Sequence, residues 1–175
     1  GLDWYCGWTA VVLYPGEFMA RQEYTDEAGV VHHVRRALVG EAWERGPVIL
    51  SWSDVLDSDA ADGFHVVVHE FAHKLDLLTG EANGLPPLHR DMSVRRWAAV
   101  FGAAYEALCA RVDAGEDTPI DPYASDSPGE FFAVVSEAFF ETPAVLAGEY
   151  PEVYAQLRAF YRQDPLARRP QQGSP

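Results

Sequence analysis

The chain has 175 residues, with 27 acidic against 13 basic side chains and a formal net charge of −14. That length suits one domain with a core that needs no disulfide staples, and 48% hydrophobic and 13% aromatic content exclude disorder. The negative surplus disfavours nucleic acid and anionic membrane surfaces as partners, and no apolar run reaches the roughly 18 residues of a membrane helix.

Two isolated cysteines, Cys6 and Cys109, form no disulfide framework and point to a reducing, cytoplasmic setting. The chain starts Gly1-Leu2-Asp3, with neither an initiator Met nor a signal-peptide pattern, and reads as a piece of a longer protein.

Residues 8–14 predict a first strand, closed by Pro15-Gly16. Residues 30–34 and 47–52 predict two more. Residues 51–59 then read as loop. From Phe64 to Leu78 apolar residues lie almost all round, the pattern of a helix buried in the middle of the domain, with Gly80 as its C-terminal stop. Asn83-Gly84-Leu85-Pro86-Pro87 is a loop. Residues 91–112 predict a long amphipathic helix, with Val94, Trp97, Phe101, Tyr105 and Leu108 at three- and four-residue spacings.

Residues 114–128 read as loop. Ser127-Pro128-Gly129-Glu130 is a helix start, with Ser as N-cap, Pro first and Glu third; that helix runs to Glu141. A last helix begins near Tyr150-Pro151 and turns Val153, Tyr154, Leu157 and Phe160 inward. Strands first and helices after give an α+β class. Residues 1–163 are expected to form one domain and residues 164–175 a flexible tail.

The chemistry lies in His69-Glu70-Phe71-Ala72-His73, an H-E-x-x-H motif within the helical stretch. Residues i and i+4 share a helix face, so both imidazoles can reach one Zn²⁺, while Glu70 sits where it can take a proton from the metal-bound water. A catalytic zinc needs a third protein ligand. Positions 76 and 79 are Asp and Thr, so the extended motif ending in a third His is absent. Glu130 and Glu137 lie seven residues apart on the next helix and share a face. One can bind the metal and the other can orient a ligand His through its second nitrogen. Asp76, on the metal face, can accept from a ligand imidazole or bond the loop at residues 80–83. His65 lies one turn before His69; three His in a row along a helix do not converge on one ion, so it belongs to the helix start or rim. His32, His33 and His89 are expected at the surface.

These motifs occur in order with Gly40-Glu41-Ala42-Trp43, Gly46-Pro47-Val48-Ile49-Leu50-Ser51-Trp52, Ile120-Asp121-Pro122-Tyr123-Ala124 and Gly129-Glu130-Phe131-Phe132. Together they resemble the Mlc titration factor A family of zinc metallopeptidases, over residues 1 to about 166. The resemblance implies a zincin-like α+β domain with a gluzincin site, similar to the anthrax lethal factor catalytic domain. His69, His73 and Glu130 would then be the ligands of one Zn²⁺, Glu70 the general base and Tyr123 an oxyanion donor. Asp76 and Glu137 stand behind them. It also implies peptide substrates, or a regulatory role in sequestering a transcriptional repressor of the Mlc type. The strand at 47–52 would be an edge strand that pairs with substrate, as in zincins. Between Arg111 and Arg158 there are ten acids and no base. This suggests a negative rim that draws in cationic peptide N-termini, as an aminopeptidase would need.

Overall fold

A computed structural model describes residues 4, 10–15, 18–25, 31–38, 40–42, 47–58 and 63–168. Among the described residues, five strands come first: β1 (Val11–Tyr14), β2 (Phe18–Thr25), β3 (Val31–Leu38), β4 (Gly40–Ala42) and β5 (Val48–Ser51). Six helices follow: α1 (Trp52–Asp57), α2 (Val66–Asp76), α3 (Val94–Asp113), α4 (Pro128–Glu141), α5 (Pro143–Glu149) and α6 (Pro151–Tyr161). The class is mixed and mostly helical. No described helix is long and apolar enough to cross a membrane.

The strands form two small sheets. β2 and β3 make an antiparallel hairpin in which Phe18 faces Leu38 and Thr25 faces Val31. The other sheet has the order β1-β5-β4, with β1 parallel to β5 and β4 antiparallel to it. This corrects the expectation of an edge strand at 47–52. β5 is central, because β1 and β4 take up the backbone groups on its two sides. Among the described residues, the outer strand that packs against α2 is β4.

Two further differences concern the helices. The stretch expected as loop after Ser51 winds into α1, and α5 was not foreseen at all. The helix buried all round is α4, not α2: Gly129 and every residue from Phe131 to Phe139 is buried, whereas Val67, Val68 and Phe71 of α2 are half-exposed. α2 is a wedge between the sheet and α4. Val66 closes on Val48 and Leu50 at its sheet end, and Ala72 and Leu75 join the main core. Beyond α4 that core is aromatic. Trp97 stacks on Phe101 at 4.1 Å and meets Phe132 and Phe160 at 5.9 and 5.5 Å.

Local chemistry fixes the helix starts. Ser127 Oγ accepts from the Glu130 N–H at 3.1 Å, with Pro128 in the first turn, as expected. Ser93 caps α3 in the same way. His65 caps α2, its Nδ1 accepting from the Val68 N–H. His89 is half-buried, corrected from a surface position: it stacks on Trp4 at 4.6 Å and donates to the Phe160 carbonyl. The side chains of His32 and His33 lie outside the described residues. Of the segment expected as a tail, Pro165–Ala167 is a 3₁₀ turn, and Asp164 before it accepts from Tyr154 and Arg158; residues 169–175 lie outside the described residues.

Phe132 is fully buried at the centre of the aromatic cluster. Phe132→Ala should therefore cost about 3–5 kcal/mol of unfolding free energy, read from urea denaturation. A loss below ~1 kcal/mol would mean that α4 is not the core.

Candidate metal centre

α2 is the first arm of the site. His69 and His73 stand one turn apart on its α4-facing side, and their Nε2 atoms lie 3.1 Å from each other. α4 is the second arm. Glu130, in its first turn, places Oε2 3.1 Å from His69 Nε2 and 3.3 Å from His73 Nε2. Donors at 2.0–2.1 Å from a tetrahedral ion are about 3.3–3.4 Å apart. The three separations, 3.1, 3.1 and 3.3 Å, are close to one triangular face of such a tetrahedron and slightly tighter. Two imidazole nitrogens and a carboxylate oxygen are also the donor types that suit zinc. Among the described residues, His69, His73 and Glu130 are the group able to hold a metal ion.

Glu137 comes from the same face of α4 two turns later. The His69 Nδ1–H donates to its Oε1 at 2.7 Å, and the His65 backbone N–H donates to its Oε2 at 2.5 Å. It is 3% exposed. A carboxylate on Nδ1 fixes the tautomer that leaves Nε2 free for a ligand. Spacing alone left Glu130 and Glu137 interchangeable. The structure places Glu130 against both Nε2 atoms and Glu137 behind one imidazole.

The charges respond to this packing. Burial disfavours a proton on His69, but hydrogen bonds to Glu130 and Glu137 outweigh it and push the imidazole up to about 10. Burial favours a neutral Glu130, yet the two imidazoles hold its carboxyl well below the usual carboxylate range. Glu70 is buried on α2, and its charge adds to the pull on the His69 proton. In the metal-free protein this cluster shares protons, so a divalent cation must displace them and binds more weakly as the pH falls.

Asp76 is fully buried, and burial raises its carboxyl to about 6. Its Oδ2 accepts from the Gly84 N–H at 2.7 Å. This is the loop bond anticipated as one of its two roles, though to Gly84 rather than residues 80–83. Its Oδ1 and His73 Nδ1 are both buried without a hydrogen-bond partner, one an acceptor and the other a potential donor. Tyr123 sits in a 3₁₀ turn, Pro122–Ser125, its ring centroid 6.3 Å from that of His69. The turn is tied down by the Asp121 cap on the Tyr123 N–H and by the Tyr105 O–H, which donates to the Ser125 carbonyl. Sequence reasoning missed Tyr105 in this capacity, because its helical spacing read only as core. His65 stays outside the donor group; its Nε2 is 3.9 Å from Glu141.

Comparisons with known proteins agree with this geometry. Residues 1–162 match the family described as glucose-regulated metallo-peptidase M90. The chain is 44% identical over 167 residues to the Mlc titration factor A of Pectobacterium atrosepticum, covering 93% of the chain and 62% of that relative. It is 41% identical over 172 residues to the proteins of the same name in Yersinia pestis and Yersinia pseudotuberculosis, covering 96% of the chain and 63% of each relative. The chain thus spans about three fifths of the length of these curated relatives.

Zinc titration against a chromogenic chelator separates the two carboxylates. Glu130→Ala should abolish stoichiometric binding, whereas Glu137→Ala should weaken it about 10–100-fold. A full complement of metal in Glu130→Ala would move the third donor elsewhere.

Proposed function

Because the chain belongs to the glucose-regulated metallo-peptidase M90 family, we propose that it is a zinc-dependent peptidase on a zincin-like fold. The observation that carries this reading is the convergence of His69, His73 and Glu130 at separations that suit one tetrahedral ion. These residues would hold Zn²⁺. When bound, the ion polarises the scissile carbonyl and lowers the pKa of its water to about 7.

The chain's own residues do the rest. Glu70 takes the proton of the attacking water as the new C–O bond forms, and later delivers it to the leaving amine as the amide C–N bond breaks. Tyr123 donates its O–H to the carbonyl oxygen as that oxygen gains negative charge. Glu137 holds the His69 ring through Nδ1. Asp76, whose carboxylate acts electrostatically on His73, would take the His73 Nδ1–H. The peptide backbone lies along β4, the outer strand beside α2, in place of β5. Glu70→Gln should retain Zn²⁺ and lose about 10²–10⁴-fold in kcat on peptide substrates; undiminished turnover would sink this mechanism.

The substrate end follows from charge. Glu70, Glu130 and Glu137 lie at the centre, with Glu141 near His65. A negative site favours a free peptide ammonium, which suits an aminopeptidase. High salt should raise KM for free-amine aminoacyl chromogenic substrates and leave N-blocked ones unchanged. Equal effects on both would remove the aminopeptidase preference.

A second reading rests on the relatives' name, Mlc titration factor A. It assigns this chain the sequestering of a transcriptional repressor of the Mlc type, with or without hydrolysis. Pull-down of such a repressor by the Glu70→Gln protein would show a binding role that stands apart from catalysis.

A further inference from the structure

The loop Ala82-Asn83-Gly84-Leu85 has no part in the chemistry above, yet three helices meet on it. The Gly84 N–H donates to Asp76 Oδ2 at the end of α2. The Gly84 carbonyl accepts from Trp97 Nε1–H of α3 at 2.8 Å. The third side of Gly84 lies against α4. A Cβ there would come within 2.6 Å of the Pro128 carbonyl oxygen, and Gly84 also has φ +78°, a left-handed conformation open to glycine. The contact is reciprocal, since a Cβ on Gly129 would come within 2.6 Å of the Ala82 carbonyl oxygen. Thr79 adds a surface tie, its Oγ1–H meeting the Leu85 and Asp76 carbonyls at 3.0 Å.

Gly129 directly precedes Glu130. It is the second residue of α4, where alanine is the better helix former, so a glycine there needs a reason. The reason on the page is backbone-to-backbone approach: with no side chain between them, loop and helix close up, and α4 is set against the end of α2.

We infer that Gly84 and Gly129 are positioning residues of the metal centre, a glycine clasp that sets how far Glu130 stands from His69 and His73. The inference rests on the metal reading of those three residues. Adding one methyl group at residue 129 pushes the start of α4 away from the loop. Glu130 moves with it, and the triangle of donors opens.

The test is Gly129→Ala in the full chain, with Gly102→Ala as control. Gly102 lies in α3 with nothing within 4 Å of a Cβ, so its replacement adds a methyl group and helix propensity without contact. Zn²⁺ affinity is measured by chelator competition at 25 °C, with far-UV circular dichroism and metal-free Tm in parallel. Gly129→Ala should weaken Zn²⁺ by about 10–100-fold, while Gly102→Ala keeps wild-type affinity. Wild-type affinity in a folded Gly129→Ala protein overturns the clasp, even with a lowered Tm, because that pattern is a purely structural role. If Gly129→Ala does not fold, Thr79→Val decides. It cuts the ties to the Leu85 and Asp76 carbonyls and leaves residue 129 untouched, and it should weaken Zn²⁺ in the same direction; unchanged affinity overturns the inference. A wild-type protein that takes up no Zn²⁺ overturns the metal reading together with the clasp, whereas loss confined to neither variant overturns the clasp alone.

Discussion

Two carboxylates on a helix that is buried on every side set the terms for this molecule. Glu130 and Glu137 leave α4 on one face, two turns apart, and charges in such a place are tolerated only when partners are supplied. α2 supplies them. Glu130 meets the Nε2 atoms of His69 and His73, and Glu137 meets His69 Nδ1 and the His65 backbone N–H. A slip of α2 along α4 by even one residue would break both sets at once. The packing register of the two helices and the geometry of the candidate site are therefore one constraint.

The rest of the fold braces that register from outside. Val48 and Leu50 of the sheet hold the start of α2 through Val66. The aromatic cluster around Trp97 and Phe132 holds the far side of α4. The 80–87 loop spans the open end, where Trp97 contributes both a ring to the core and an N–H to Gly84. The turn with Tyr123 is fastened to α3 through Tyr105. The first two supports act by apolar packing and the last two by hydrogen bonds.

What the sequence made legible follows the range of the interactions. His69, Glu70 and His73 could be read because a helix brings residues one turn apart together whatever the fold. Ser127 and Pro128 could be read as a helix start for the same reason. From spacing, Glu130 and Glu137 could be read only as a pair, since a shared face does not say which end of the face meets the histidines; the family resemblance alone singled out Glu130. The central position of β5 is set by strands some 35 residues earlier in the chain and by β4, so no local pattern announces it. The burial of α4 was hidden behind that of α2, because both are apolar and only the tertiary order shows which is enclosed. Gly129 did leave a signal, a glycine in the first turn of a helix where alanine is the better former. Its meaning became clear only with Ala82 opposite it.

The surplus of acid also takes on structure. Of the ten acids between Arg111 and Arg158, Glu116 and Glu149 pair with Arg111, Glu152 pairs with Arg96, and Glu130 and Glu137 face the imidazoles. The stretch is thus less of a bare rim than its composition implies. The acids of the candidate site lie at the centre. In the proposed holoenzyme the two ligand imidazoles would be neutral, and Glu70, Glu130, Glu137 and, behind His73, Asp76 would set their negative charges against the two positive charges of a Zn²⁺ ion. A cationic group is the natural complement, and in a peptide that group is the N-terminal ammonium beside the first scissile bond. On the proposed reading, the negative surplus that disfavours nucleic acid at the surface would act, at the site, as a preference for one end of a peptide.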